Sequence, residues 1–174
     1  SVPVDDRYEF QREFPEGELF AHVTGYFNYQ FGATGIERAY NTELSGRSAS
    51  QQVKSIGDLF VETDRTGNVK LTMRADVQRA ARAALGDQRG TVVALDPRTG
   101  GILALWSWPS FDPNLLSSHD LDAAAAWRAL YEASPDKPLL AKSYREVYPP
   151  GSTFKVVTGS TGVETGMVTP TEPV

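Results

Sequence analysis

The sequence predicts an α+β fold: a β-rich, elongated N-terminal region followed by the first part of an antiparallel sheet covered by helices. Three observations carry this expectation. Residues 1–70 are rich in Gly, Thr, Tyr and Phe and poor in helical periodicity; Asp76–Leu85 carries a one-sided helical pattern; and two almost unbroken apolar runs flank a turn at Asp96–Gly101. With 174 residues, 40% hydrophobic and 22% charged, the chain has ordinary globular composition and room for one medium domain or parts of two. That composition sets aside disorder, collagen-like repeats and coiled coils.

Taken in order, Leu19-Phe-Ala-His-Val23 and Gly25-Tyr-Phe-Asn-Tyr29 favour extended backbone, because aromatic and β-branched side chains suit a half-buried pleated surface. Glycines at 32, 35, 46 and 67 punctuate the region, and one short helix is expected at Ile36–Leu44. In Asp76–Leu85 the residues Val77, Ala80, Ala81, Ala84 and Leu85 fall on one helical face, with Gly86 placed to end it. A hairpin follows, Thr91–Leu95 and Ile102–Trp106, turned through Asp96-Pro-Arg-Thr-Gly-Gly101, where Pro97 presets one dihedral. Strands this apolar are expected inside a sheet covered on both faces, with the preceding helix as one cover. Residues 109–120 read as loop, Leu121–Glu132 as an Ala-rich helix, and Ser134–Pro138 as its break. Two prolines then deliver the chain to a helix start at Ser152.

Charge and composition narrow the function classes. The net charge of −5 is scattered without a basic stripe, so nucleic acid is not an expected partner. There is no cysteine, which removes disulfides and thiolate metal sites. No apolar run approaches the roughly 20 residues that cross a bilayer. His22 and His119 lack carboxylate partners at ligand spacing, so neither a metal nor a cofactor is called for.

Ser152 and Lys155 form an S-x-x-K pair. Three residues apart on a helix, they share a face, and a lysine amine in reach of a serine hydroxyl can serve as its base. The helix N-terminus adds partial positive charge where an oxyanion would form. Four letters are a weak signal, and Ser134-Pro-Asp-Lys137 spells the same pattern in what reads as a loop, since Pro138 follows. The bland alternative for Ser152 and Lys155 is a capping serine and a solvated lysine at an ordinary helix start.

The surroundings decide between these. Tyr148-Pro-Pro-Gly-Ser-Thr-Phe-Lys155 closely resembles the active-site serine segment of penicillin-binding proteins. Gly90–Leu105 resembles the opening strands of their transpeptidase domain, Leu71–Gln78 the helix entrance before it, and Ser110-Phe-Asp-Pro-Asn114 the loop after it. Gly32–Tyr40 and Leu44-Ser-Gly46 are similar to the non-catalytic domain of class B members, and Pro15–Gly25 to their actinobacterial A-type branch. The resemblance is collinear along nearly the whole chain. It implies a non-catalytic domain over 1–70 and the N-terminal part of a transpeptidase domain over 71–174, with Ser152 as nucleophile and Lys155 as general base.

By the same resemblance the substrates would be peptidoglycan stem peptides ending in D-Ala-D-Ala. β-Lactams would mimic the donor, and division or elongation proteins are candidate partners. The expected place is the outer side of the cell membrane, reached by a single-pass anchor that these residues do not include. The family completes its site with a later S-x-N and K-[ST]-G; neither occurs here, and the sequence runs only 19 residues past Lys155, so the catalytic domain is expected to be incomplete, its other half carried elsewhere or on a second chain. Relatives often read Asn-Arg-Ala where this chain has Ala141-Lys-Ser143, which puts the usual contacts of that segment in question. The rival function is an inactive penicillin-binding scaffold that serves as a partner surface; a β-lactam sensor or β-lactamase fits the upstream region poorly. Trp106 and Trp108 read as packing residues, Glu13, Glu16 and Glu18 as a solvated loop, and Asp112 and Asn114 as either turn formers or the border of a cleft.

Overall fold

A computed structural model describes residues 1–47, 67–169 and 171; the part of the N-terminal expectation that falls on 48–66 lies outside the described residues. The molecule mixes helix and strand, with three small two-stranded antiparallel sheets among the described residues. In the N-terminal region β1 (Val2–Pro3) pairs β2 (Phe10–Gln11), and β3 (Phe27–Asn28) pairs β4 (Gly32–Ala33). Single helical turns lie between and after them: a 3-10 turn at Gly17–Phe20, α1 (Ala21–Thr24), α2 (Gly35–Ala39) and α3 (Asn41–Leu44).

Leu19–Val23 therefore departs from the extended form expected of it. Leu19, Ala21 and His22 are the buried residues, a spacing that a helical turn satisfies and a strand does not, and packing outweighs the weak β-preference of Phe and Val. Gly25, with φ of 73°, ends the turn and releases the chain into β3. The helix expected at Ile36–Leu44 is present as α2 and α3, broken at Tyr40.

The hairpin forms as expected: β5 (Gly90–Leu95) against β6 (Ile102–Trp108), with Val92 opposite Trp106, Ala94 opposite Ala104, and a register shift between Ala94 and Leu95. Cross-strand partners share a face, so Val92, Ala94, Ala104 and Trp106 all point one way. Helix α4 (Ala75–Leu85) covers that face. Ala104 and Trp106 join Ala81 and Leu19 in a core to which Val77, Leu85 and Phe20 pack. Burying each large apolar side chain there contributes roughly 1.5–3 kcal/mol. The second face differs from the expectation: among the described residues Val93 and Leu95 remain 45% and 55% exposed, and only a turn near Ser107 lies over it.

Helix α4 is also rotated from the face read off the sequence. Ala80 and Ala84 face solvent, and Gln78 is buried in their place. Its side chain lies along the outer edge of β6, accepting from Leu105 N at 2.8 Å and donating to Leu105 O at 3.0 Å, and it donates again to Leu19 O at 2.7 Å. An amide makes these bonds because it presents a donor and an acceptor together, as a strand residue does. One side chain thus closes the sheet edge and fastens the N-terminal region to it.

The stretch after β6 is less of a loop than expected. Pro113–Leu116 forms one helical turn, α5, capped by Asp112, whose carboxylate accepts from Asn114 N at 2.9 Å. Asn114 reaches back and pairs with Phe14 through both its amide N–H and its carbonyl oxygen. Asn28 donates to Leu116 O at 2.7 Å, and Ser117 Oγ accepts from Phe27 N at 3.2 Å. Around these bonds Ala21, Tyr26, Phe111 and Leu116 make a second core, beside α6 (Leu121–Ala133). Asp112 and Asn114 are thus turn and interface residues. Trp106 is buried and stacks with Trp108 at 6.3 Å, as packing residues do. Glu16 and Glu18 are not simply solvated: they pair with Arg79 and Arg82 on α4, at 2.5 and 3.5 Å, although such half-exposed pairs stabilise little.

Candidate active site

The two prolines at 149 and 150 bring the chain to Gly151, whose φ of 52° makes a turn that residues with a Cβ resist. Gly151–Thr153 is a 3-10 turn that runs without a break into α8 (Phe154–Glu164). Thr153 closes it, donating through N and Oγ1 to Pro150 O at 3.2 and 2.5 Å. Ser152 therefore lies in the first turn of a helical segment and Lys155 three residues on, along the same side. Both are exposed, and neither side chain has a hydrogen-bond partner among the described residues. The other S-x-x-K pattern is separated from this arrangement: Ser134 ends α6, and Lys137 sits at φ 49° in the turn after it.

Helix α8 is built for an interior. Phe154, Val156, Val157 and Val163 lie on it between Gly159, Gly162 and threonines that bond back to carbonyls four residues earlier. Val156 is 73% exposed, and no residue of the helix is buried among the described residues. Exposed valines and a phenylalanine on several sides of one helix are ordinarily covered by protein.

The segment leading to Ser152 is held more firmly. Ala141 and Lys142 are buried at the start of α7 (Lys142–Arg145). Lys142 Nζ donates to Lys137 O at 3.0 Å, and desolvation lowers its pKa. Ser143 N donates to Ser107 Oγ at 3.2 Å, while Ser143 Oγ is buried without a partner among the described residues. Glu146 then accepts from Arg89 at 2.7 Å and from the Tyr148 hydroxyl at 2.5 Å; that hydrogen bond holds the carboxyl below its ordinary range.

Of the two histidines, His119 pairs with Asp6 at 2.5 Å on the surface. His22 is buried with its Nε2 2.7 Å from Pro138 O and its ring edge-on to Phe111 at 5.4 Å. Burial drives its pKa down to about 4, and the Lys142 cation adds to this, so the imidazole is neutral near pH 7. Sequence reasoning gave no role to His22, Arg89, Glu146 or Gln78. Their partners lie many positions away, and nothing local in the sequence announces them.

Comparison with known proteins agrees with this architecture. The penicillin binding protein A dimerisation domain family matches residues 1–69, and the penicillin binding protein transpeptidase domain family matches residues 90–174. The chain belongs to the penicillin-binding proteins, with a dimerisation domain followed by the beginning of a transpeptidase domain. Within that family it is similar to the peptidoglycan D,D-transpeptidase PbpA of Mycolicibacterium smegmatis, with 43% identity over 95% of this chain and 35% of the relative. PbpA of Mycobacterium tuberculosis is 41% identical over the same shares. The penicillin G acyl-enzyme complex of penicillin-binding protein A from M. tuberculosis superposes with a TM-score of 0.90 at 39% identity, covering 98% of this chain and 40% of that one. Pseudomonas aeruginosa PBP2 gives a TM-score of 0.69 at 36% identity, over 98% and 38%. The chain thus spans about a third of the length of the curated relatives it matches.

Proposed function

We propose that this chain is the dimerisation domain and opening half of a peptidoglycan D,D-transpeptidase, divided near residue 70, whose nucleophile is Ser152. In this reading Ser152 Oγ attacks the penultimate D-Ala carbonyl of a stem peptide, D-Ala leaves, and an amine of a second stem peptide takes the acyl group to make the cross-link. Lys155 removes the serine proton, and the Ser152 backbone N–H forms half of the oxyanion hole. A β-lactam acylates the same oxygen and stops there. The single observation that carries the reading is the Ser–Lys pair at the start of an exposed, valine-rich helix, inside the residues matched by the transpeptidase family. The relatives' name as D,D-transpeptidases and the penicillin acyl-enzyme structure support the chemistry.

A membrane anchor and contacts with division or elongation proteins belong to the same proposal. Intact-mass spectrometry of the complete protein with excess penicillin tests it. One penicillin-sized adduct is expected on the peptide containing Ser152, and none in Ser152→Ala. An adduct elsewhere rejects the nucleophile, and no adduct at all favours the inactive scaffold.

A further inference from the structure

The approach to Ser152 is clamped by a residue of the other domain. His22 lies on α1, within the residues matched by the dimerisation family. Pro138 O can only accept a hydrogen bond, so His22 Nε2 carries the proton and donates to it at 2.7 Å. Six residues later the Tyr144 hydroxyl donates to His22 O at 3.2 Å. Both ends of the strap 138–144 therefore close on one residue. Between them the strap has little freedom, because Lys142 is buried and bonded to Lys137 O while Ser143 N is bonded to Ser107 on β6. Beyond it Glu146 accepts from both Arg89 and the Tyr148 hydroxyl. Only Pro149, Pro150 and Gly151 then separate Tyr148 from Ser152, and two of those three have φ fixed by their rings. A displacement at Pro138 or Tyr144 therefore reaches the nucleophile along a short path in which the two proline φ angles cannot change.

We infer that His22 is a positioning residue for acyl transfer: by holding the 138–144 strap it sets where the Ser152 turn stands. This rests on the reading of Ser152 as nucleophile. The effect falls on the covalent step rather than on capture of the β-lactam, because His22 touches the strap and not the exposed face of α8. A shift of the reacting atom by about 1 Å can slow a reaction about a hundredfold, so a partly retained strap slows it by about tenfold.

The test is acylation of the full-length protein by a fluorescent penicillin, well below the melting temperature, resolved into the saturating rate constant and the half-saturating concentration. His22→Ala is expected to lower the rate constant about tenfold and to leave the half-saturating concentration within about twofold. His22→Gln, whose amide N–H falls near the position of Nε2, recovers most of the rate. Gln78→Ala loosens the same domain contact without touching the strap; it lowers the melting temperature and leaves the rate unchanged. Tyr144→Phe removes only the hydroxyl donated to His22 O and slows the step about threefold, which keeps the test open if His22→Ala does not fold.

Wild-type rates in His22→Ala, or in Tyr144→Phe where His22→Ala is unfolded, overturn the inference. So does slowing that follows the loss of melting temperature equally in His22→Ala and Gln78→Ala, or a Gln variant as slow as the Ala one. Label persisting on Ser152→Ala instead overturns the nucleophile assignment, and this inference falls with it.

Discussion

At the scale of single residues, two buried polar side chains carry more than the apolar ones around them. Gln78 satisfies both backbone groups of Leu105 and the carbonyl of Leu19 from a fully buried position. Truncation to Ala leaves three backbone groups without partners where water enters poorly, at a cost of about 3 kcal/mol. Urea unfolding of Gln78→Ala checks this, and a loss under about 1 kcal/mol would show that water replaces the amide. His22 makes a pH prediction. Its folded pKa of about 4 lies below the unfolded 6.5, so the unfolded chain binds the proton first. The stability that neutral His22 provides is complete above pH 6.5 and is lost as pH falls from 6.5 towards 4, by about 3 kcal/mol in all. Lys142, the charged group facing it, pushes in the same direction. Carboxylates with lowered pKa, such as Asp6 and Glu146, also weaken the fold in acid, so the readout is wild type minus His22→Gln. Unfolding midpoints for the two that stay parallel from pH 7.5 to 4.5 would refute the assignment.

At the scale of elements, the sequence was most legible where one local rule sufficed. The hairpin at Gly90–Trp108 declares itself by two apolar runs and a Pro-Gly turn, and the helix at Ala75–Leu85 by its period. The rotation of that helix was hidden because a glutamine occupies its buried stripe, and hydrophobic patterning cannot see an amide that is buried for its hydrogen bonds. The Leu19–Val23 turn was hidden for a related reason: its conformation is set by what it packs against, Trp106 and Phe111, more than eighty residues away. The Ser–Lys pair was legible as a motif, whereas the strap behind it depends on contacts across domains. Glycine gives the sharpest prediction at this scale. A Cβ on Gly25 would stand 2.1 Å from Thr34 O at φ 73°, because α1 and α2 meet backbone to backbone there. A Cβ on Gly100, at φ 72°, would meet nothing within 4 Å. Gly25→Ala is therefore expected to cost more than about 3 kcal/mol, and Gly100→Ala about 1–2 kcal/mol from backbone strain alone. Thermal melts of the two variants rank them, and equal losses would mean that the α1–α2 approach relaxes freely.

At the scale of the whole molecule, the apolar surface is distributed unevenly. The side of the hairpin under α4 is closed, while Val93 and Leu95 on its other side and nearly every residue of α8 face outward. A monomer seldom leaves this many large apolar side chains open, and several of them lie on the helix that carries Lys155 and follows Ser152. The two features have one explanation in the proposed function. The S-x-N and K-[ST]-G elements that complete the acylation site would also cover this surface, so folding of the site and burial of α8 would be a single event. Residues 1–174 alone should then bind an apolar dye such as ANS strongly and release no thiol from a D-Ala-D-Ala thioester above the uncatalysed rate. The complete protein should bind little dye and protect the amides of residues 156–164 from hydrogen exchange. Thiol release by 1–174 would mean that the Ser–Lys helix acylates without the later motifs. Rapid exchange of those amides in the complete protein would mean that α8 stays uncovered, and the link between burial and catalysis would be lost.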